Sequence, residues 1–250
     1  MAFNYGSIFG EYGDEKVTGT TKIHPYGTRL VLPDGRIFKY GAMSSAAAIG
    51  AGQICQTAAT VAGHDMDLVI TAAAAVGVKS IALTLQAGDA AADLYAEGYI
   101  GINDGPGEGH LYKIDNHLAI AGSADGTINL VDGDSLAEAL TTASLAALHK
   151  SPYKDVIIYP TTPTGFCVGV AASEIAASSY GWFQTWGLAK VLCDVAFVPG
   201  NHVRVSDNTA GSAEPLVRGA SNENDEEIGV AALIAPVTTD YGFVNLKISP

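Results

Sequence analysis

Short alternating runs separated by tight turn signals constrain this chain more than any other feature. Thr28-Arg29-Leu30-Val31-Leu32 is followed by Pro33-Asp34-Gly35 and then by Arg36-Ile37-Phe38-Lys39-Tyr40. Asp-Gly tolerates the positive φ that a tight hairpin needs, and Pro presets the first turn residue. The same grammar recurs along the chain. Ser80–Leu85, Tyr99–Asn103, His110–Ile114, Thr127–Leu130, Val156–Tyr159, Phe166–Val170, Val203–Val205, Ile228–Ile234 and Phe243–Ile248 all read as strands between Gly, Pro or Asp turns. Leu68–Thr71 reads as one more; the Ala-rich residues 43–64 allow a helix by propensity, but Gly50-Ala51-Gly52 weaken it and a strand at Gln53–Gln56 is the preferred reading. The expected fold is mainly β: an antiparallel β-sandwich or barrel-like domain or domains, with at most one or two short helices and an extended N-terminal arm.

One helix is expected over Ser135–Leu148. Ser135 can cap it, Glu138 completes a capping box, and Leu136, Ala139, Leu140 and Ala143 fit one face. Residues 1–26 read as the arm, ordering only against a partner, because 1–20 are polar and without periodicity. Residues 27–250 read as the β-rich body, with a subdomain boundary near 130–152. No internal repeat stands out.

Composition narrows the function. Twenty-six Asp and Glu against 13 Lys and Arg give a net charge of −13, and no basic run occurs. Phosphate neutralisation needs Lys and Arg clusters, so no nucleic-acid partner is expected; an acidic surface suits a cationic partner. Only 16% of residues are charged and 29 are Gly, as in a chain that hides surface in an assembly. The N-terminus has no signal-peptide pattern, and the apolar stretch Ala72–Val78 is too short to span a membrane. The three cysteines, Cys55, Cys167 and Cys193, form no CxxC pair and read as buried small hydrophobes.

Chemistry-bearing motifs are scarce. Asn103, Asp104, Glu108 and His110 crowd a glycine-rich loop that could offer oxygens to Ca²⁺, but the spacing is not that of an EF-hand and a wide hairpin loop is the expected reading. His24, His117 and His149 are expected at strand ends or on the surface. No zinc motif and no GxSxG nucleophile elbow occurs. A hydrolase with a dispersed Ser–His–Asp site is the third reading, and a reactive thiol partnered by a histidine is weaker still. No cofactor, metal or catalytic residue is assigned.

Both tryptophans lie in Tyr180-Gly181-Trp182-Phe183-Gln184-Thr185-Trp186-Gly187. At a period of two, Trp182, Gln184 and Trp186 share one strand face, while Gly181, Phe183 and Thr185 share the other. Large aromatic area without a nucleophile points to packing or binding. Sugar stacking on exposed tryptophans is one use; a buried core or subunit-interface strand is the expected one.

Taken in order, several segments resemble the capsid decoration (cement, auxiliary) proteins of tailed bacteriophages, particularly those of marine or cyanobacterial phages. They are Leu32–Tyr40 after Gly27-Thr28, Glu97–Asp104 with Gly105–His110 and Tyr112–Ile114, Ser151-Pro152-Tyr153 with Val156, and Tyr180–Gly187. The resemblance implies a non-enzymatic virion protein, made in the host cytoplasm and placed on the outer capsid surface, where it stabilises the shell. It implies the major capsid protein as partner, a homotrimer, and no membrane. The contacts expected on that reading are Tyr5, Phe9 and Tyr12 in the arm, with Tyr153, Trp182, Phe183 and Trp186. A carbohydrate-binding phage adhesin using the Trp182/Trp186 strand is the alternative.

Overall fold

The computed structural model describes residues 6–217, 226–233 and 240–250. Among these, seventeen strands and a single 3-10 turn carry the fold. Ahead of residue 59 come β1 (Ile8–Phe9), the 3-10 turn (Asp14–Lys16), β2 (Arg29–Val31), β3 (Ile37–Ala42) and β4 (Ile54–Gln56). Then follow β5 (Leu68–Val69), β6 (Ser80–Thr84), β7 (Tyr99–Asp104), β8 (Leu111–His117), β9 (Asp125–Leu130) and β10 (Leu145–His149). The last stretch holds β11 (Ile157–Ile158), β12 (Cys167–Ala171), β13 (Tyr180–Leu192), β14 (His202–Val205), β15 (Ala213–Pro215), β16 (Glu227–Ala231) and β17 (Tyr241–Lys247). The mainly-β expectation holds. The chain divides into two compact units: residues 59–151, and a host unit of residues 3–58 with 152–250. The sequence suggested one boundary near 130–152; the division falls at 58/59 and 151/152, so one unit is inserted into the other. In the host, β4 and β11 flank the insertion and pair antiparallel, with Ile157 opposite Gln56.

The inserted unit is a six-stranded antiparallel ring in the order β5-β10-β7-β8-β9-β6. The bridge between Ile70 and Leu83 joins the two end strands. Its strands follow the alternation of a small filled barrel: the pairs Ile81/Leu83, Ile100/Ile102, Tyr112/Ile114, Ile128/Leu130 and Ala146/Leu148 all point inward into one core. Burial of each Ile or Leu among them is worth about 1.5–3 kcal/mol, and the pairs repeat from strand to strand. The expected helix over 135–148 does not form. Leu136 and Leu140 are buried in the barrel, and Leu145–His149 is β10. Leu140 bridges Ala74 as extended chain. Spacing of small residues was read as a helical face; long-range pairing overrode it. The glycine loop closes the β7–β8 hairpin as expected.

The host sheet runs β1-β2-β3-β13-β17-β16-β14-β15, with β12, β4 and β11 branching from β13. The Pro33-Asp34-Gly35 turn is present, with Gly35 at φ 82° and β2 antiparallel to β3. The thirteen-residue β13 changes neighbours along its length. Over Tyr180–Gln184 it pairs with β3 and, at Phe183 and Gln184, with β12; from Trp186 it pairs with β17. An irregularity between Gln184 and Trp186 marks the change, where Thr185 is an extra residue against β3.

Residues 6–20 do not wait for a partner. β1 pairs with β2 in parallel, Glu15 is buried at 3% exposure, and Gly19 bridges Tyr180. The arm expected from the sequence is therefore, over these residues, the edge of the host sheet. Lack of periodicity hid this, because a two-residue strand and a single buried carboxylate leave no pattern.

Candidate functional site

The outer face of β13 and β17 gathers exposed apolar and cationic groups. On β17, Gly242, Val244 and Leu246 are buried, which turns Tyr241, Phe243, Asn245 and Lys247 outward. Beyond its irregularity, β13 buries Ala189 and Val191 and presents Trp186, Leu188 and Lys190. Cross-strand register sets Trp186 opposite Lys247, Leu188 opposite Asn245 and Lys190 opposite Phe243.

Two clefts meet on this face. One, of about 720 Å³, lies between the Asp34–Arg36 turn and Trp186, Leu188, Phe243 and Asn245. The other, of about 490 Å³, extends toward Lys16, Lys190 and Tyr241. Arg36, Leu188 and Phe243 belong to both. Arg36 is held at 2.7 Å from Asp34 and 3.8 Å from Glu15. Burial alone would raise the Asp34 carboxyl, but the hydrogen bonds and charge of Arg36 take it below its ordinary value. Lys190 donates to the Tyr241 carbonyl at 2.8 Å and stands 4.3 Å from the Phe243 ring centroid. Neither Lys190 nor Lys247 has a carboxylate partner among the described residues. The face can hold an apolar group inside a cationic rim.

The contact residues expected from the sequence are dispersed. Tyr5 lies outside the described residues. Phe9 and Tyr12 are exposed at 82% and 65% on the edge segment. Tyr153 packs on a core cluster containing Phe183, which is fully buried. Trp182 is buried at 3% exposure among Leu30, Leu32, Phe38 and Tyr40. His24 lies over it at a ring separation of 5.5 Å, and burial lowers the pKa of that imidazole. Trp186 alone of the two tryptophans reaches the surface, at 37% exposure. The two rings therefore make no common platform, and an extended sugar-stacking surface across both is absent among the described residues. Leu188, Tyr241, Phe243, Asn245 and Lys247 were not singled out from the sequence. The alternation of Tyr241–Lys247 was legible as a strand, but an outward aromatic becomes noticeable only once its neighbour is known.

Groups that could have signalled catalysis are engaged elsewhere. His64 and His117 are both buried; His117 is the last residue of β8, one of the two places expected for it. The Tyr95 hydroxyl and the Gly88 carbonyl lie 2.5 and 3.1 Å from the two His64 nitrogens. With Nε2–H donating to that carbonyl, Nδ1 accepts from the hydroxyl. His117 Nε2 accepts the Tyr95 amide at 3.0 Å, while Nδ1 donates to the Leu118 carbonyl at 2.7 Å. His110 and His149 face backbone carbonyls, and His202 faces Glu227. In the glycine loop, Asn103 donates to Asp67 and the Asp104 carboxylate accepts the Gly105 amide. No group of three metal-ligating side chains occurs among the described residues.

All three cysteines are buried and free. Burial raises the Cys55 and Cys167 thiols well above their ordinary range and pushes Cys193 up to about 11. Thiolate is the reactive form, so Ellman's reagent is expected to find no thiol in the folded protein at neutral pH. All three should react at least about 100-fold faster in denaturant. Rapid labelling of one thiol in the native state would contradict the packing around it.

No protein-family model, no curated protein and no solved structure matches this chain.

Proposed function

We propose that this chain is a non-enzymatic virion structural protein that binds the outside of a phage head and stabilises the capsid shell. The reading starts from the resemblance carried by Leu32–Tyr40, Glu97–Ile114 and Tyr180–Gly187. The observation that supports it most is the β13–β17 face: a broad apolar surface of Trp186, Leu188 and Phe243 with Arg36, Lys190 and Lys247 beside it. Exposed apolar patches of this kind serve protein contacts. Phe9 and Tyr12 add a second exposed aromatic edge.

A protein of this class stabilises a shell by differential affinity. It binds a composite surface present in the expanded lattice and absent from the precursor, so bound copies shift the equilibrium toward the expanded state. Assembly into a homotrimer multiplies weak contacts through effective concentration. The partner is the major capsid protein; nucleic acid and membrane play no part.

Antibody labelling of purified virions of the phage that encodes the chain tests the reading. Label on the outer head surface is the expected result, together with earlier release of DNA on heating from particles that lack the protein. Virions without the chain, or label confined to the tail, would remove it.

A further inference from the structure

The inserted unit is strongly acidic, and the host face carries lysines with no carboxylate partner among the described residues, beside an apolar cleft. Residues 59–151 hold twelve Asp and Glu and three Lys, so this unit contributes −9 of the chain's −13. Its most exposed large hydrophobic side chain is Leu118, at 83% exposure. Leu118 follows β8 as the chain turns away from His117. The segment at Asp89–Asp93 lies antiparallel to it, with Ala90 bridging Ile120. The Asp93 carboxylate accepts the His117 amide at 3.1 Å, and the Asp89 carboxylate accepts the Gly122 amide at 2.8 Å. Two carboxylates therefore bracket Leu118, and the exposed Asp115 stands three residues before it. The result is an apolar knob with an anionic rim. The host face is its counterpart: Trp186, Leu188 and Phe243 around a cleft of about 720 Å³, with Lys190 and Lys247 alongside.

We propose that copies of this chain associate head to tail, the Leu118 knob of one copy seating in the Trp186–Leu188–Phe243 cleft of the next. Apolar contact supplies affinity. Asp89, Asp93 and Asp115 facing Lys190 and Lys247 fix orientation and speed encounter. The two patches differ, so the contact is heterologous and extends until it closes into a ring or continues as a filament. The inference rests on the β13–β17 face that the virion reading also uses, but its test in solution is separate: a chain that is monomeric in solution can still label the head, and a self-associating chain can still be absent from it.

Light scattering of the purified full chain tests it. The native protein is expected as an oligomer in about 0.05 M salt, with a dissociation constant at least about 10-fold weaker in about 1 M salt, where the rim charges are screened. Leu118→Asp and Leu188→Asp each change an exposed side chain, and each variant is expected to be a monomer with the native far-UV circular dichroism spectrum. Mixed, they should form a one-to-one dimer and nothing larger, because the first keeps an intact cleft and the second an intact knob. A native monomer at both salt concentrations overturns the proposal. So does either variant that keeps the native mass, or a mixture that stays monomeric.

Discussion

Arg204→Ala is expected to lower the unfolding free energy of the host unit by about 3–5 kcal/mol. Arg204 is 1% exposed and lies directly across from Glu214 in the β14–β15 ladder. Its Nη2 donates to the Glu214 carboxylate and, at 3.1 Å, to Asp207; Nη1 donates to the Val205 carbonyl. Asp194, 7% exposed, accepts from Ser206 at 2.8 Å and Thr209 at 2.7 Å, and the Ser206 hydroxyl lies 3.2 Å from Glu214. Removing the guanidinium leaves Glu214 buried without its cation. That costs far more than the lost side-chain area, because a buried carboxylate needs a compensating charge. Arg204→Met with Glu214→Leu removes both charges of the cross-strand pair, and should recover at least about half of the loss. Urea denaturation followed by far-UV circular dichroism gives both numbers. A cost below about 1 kcal/mol for Arg204→Ala would mean that water already reaches the pair.

Phe183→Ala is expected to cost a similar amount, about 3–5 kcal/mol, for a different reason. Phe183 has no exposed surface and shares a cluster with Met43, Ile49, Val168 and Ile175. Two glycines make its place: a Cβ at Gly41 would stand 2.8 Å from the ring, and one at Gly169 3.0 Å from the Phe183 Cβ. Backbone packed this closely cannot collapse into the void left by alanine, so the cavity term stays near its full value. Trp186→Ala, at a half-exposed position of the same strand, should cost less than about 1.5 kcal/mol. The contrast between Phe183 and Trp186 in one denaturation series checks which side chains of β13 are core and which are surface. Equal costs would contradict the burial pattern.

The sequence disclosed strands more readily than their partners. Ile37–Tyr40, Tyr99–Asn103 and Tyr241–Lys247 carry their alternation openly, and Asp34-Gly35 states its turn. The assignment of Ser135–Leu148 to a helix failed because Leu136 and Leu140 satisfy a helical spacing and an extended one that touches the barrel twice. Only the Ala74 bridge, some sixty residues upstream, decides between them. The tryptophan strand was read correctly as a strand but wrongly as one continuous face, since the irregularity at Thr185 depends on β3 ending and β17 beginning there. For the candidate site, Trp186 was legible; Leu188, Phe243 and Lys247 were not. An outward Leu and an inward Leu look the same until a second strand fixes the register. Leu118 escaped notice for the same reason.

The pairing of β4 with β11 has a consequence for the chain as it leaves the ribosome. Gln56 emerges first, and its partner Ile157 follows only after the whole inserted unit has been made. At ordinary ribosomal elongation speeds that interval is roughly 5–20 s. Throughout it, Ile54 and Cys55 are an apolar edge without their neighbours on β11 and β12, while every strand of the inserted barrel is appearing in turn. The part of the molecule begun earlier is thus completed later, and the nascent β4 depends on chaperones, or on its own brevity, to stay out of wrong pairings until the second half of its sheet is translated.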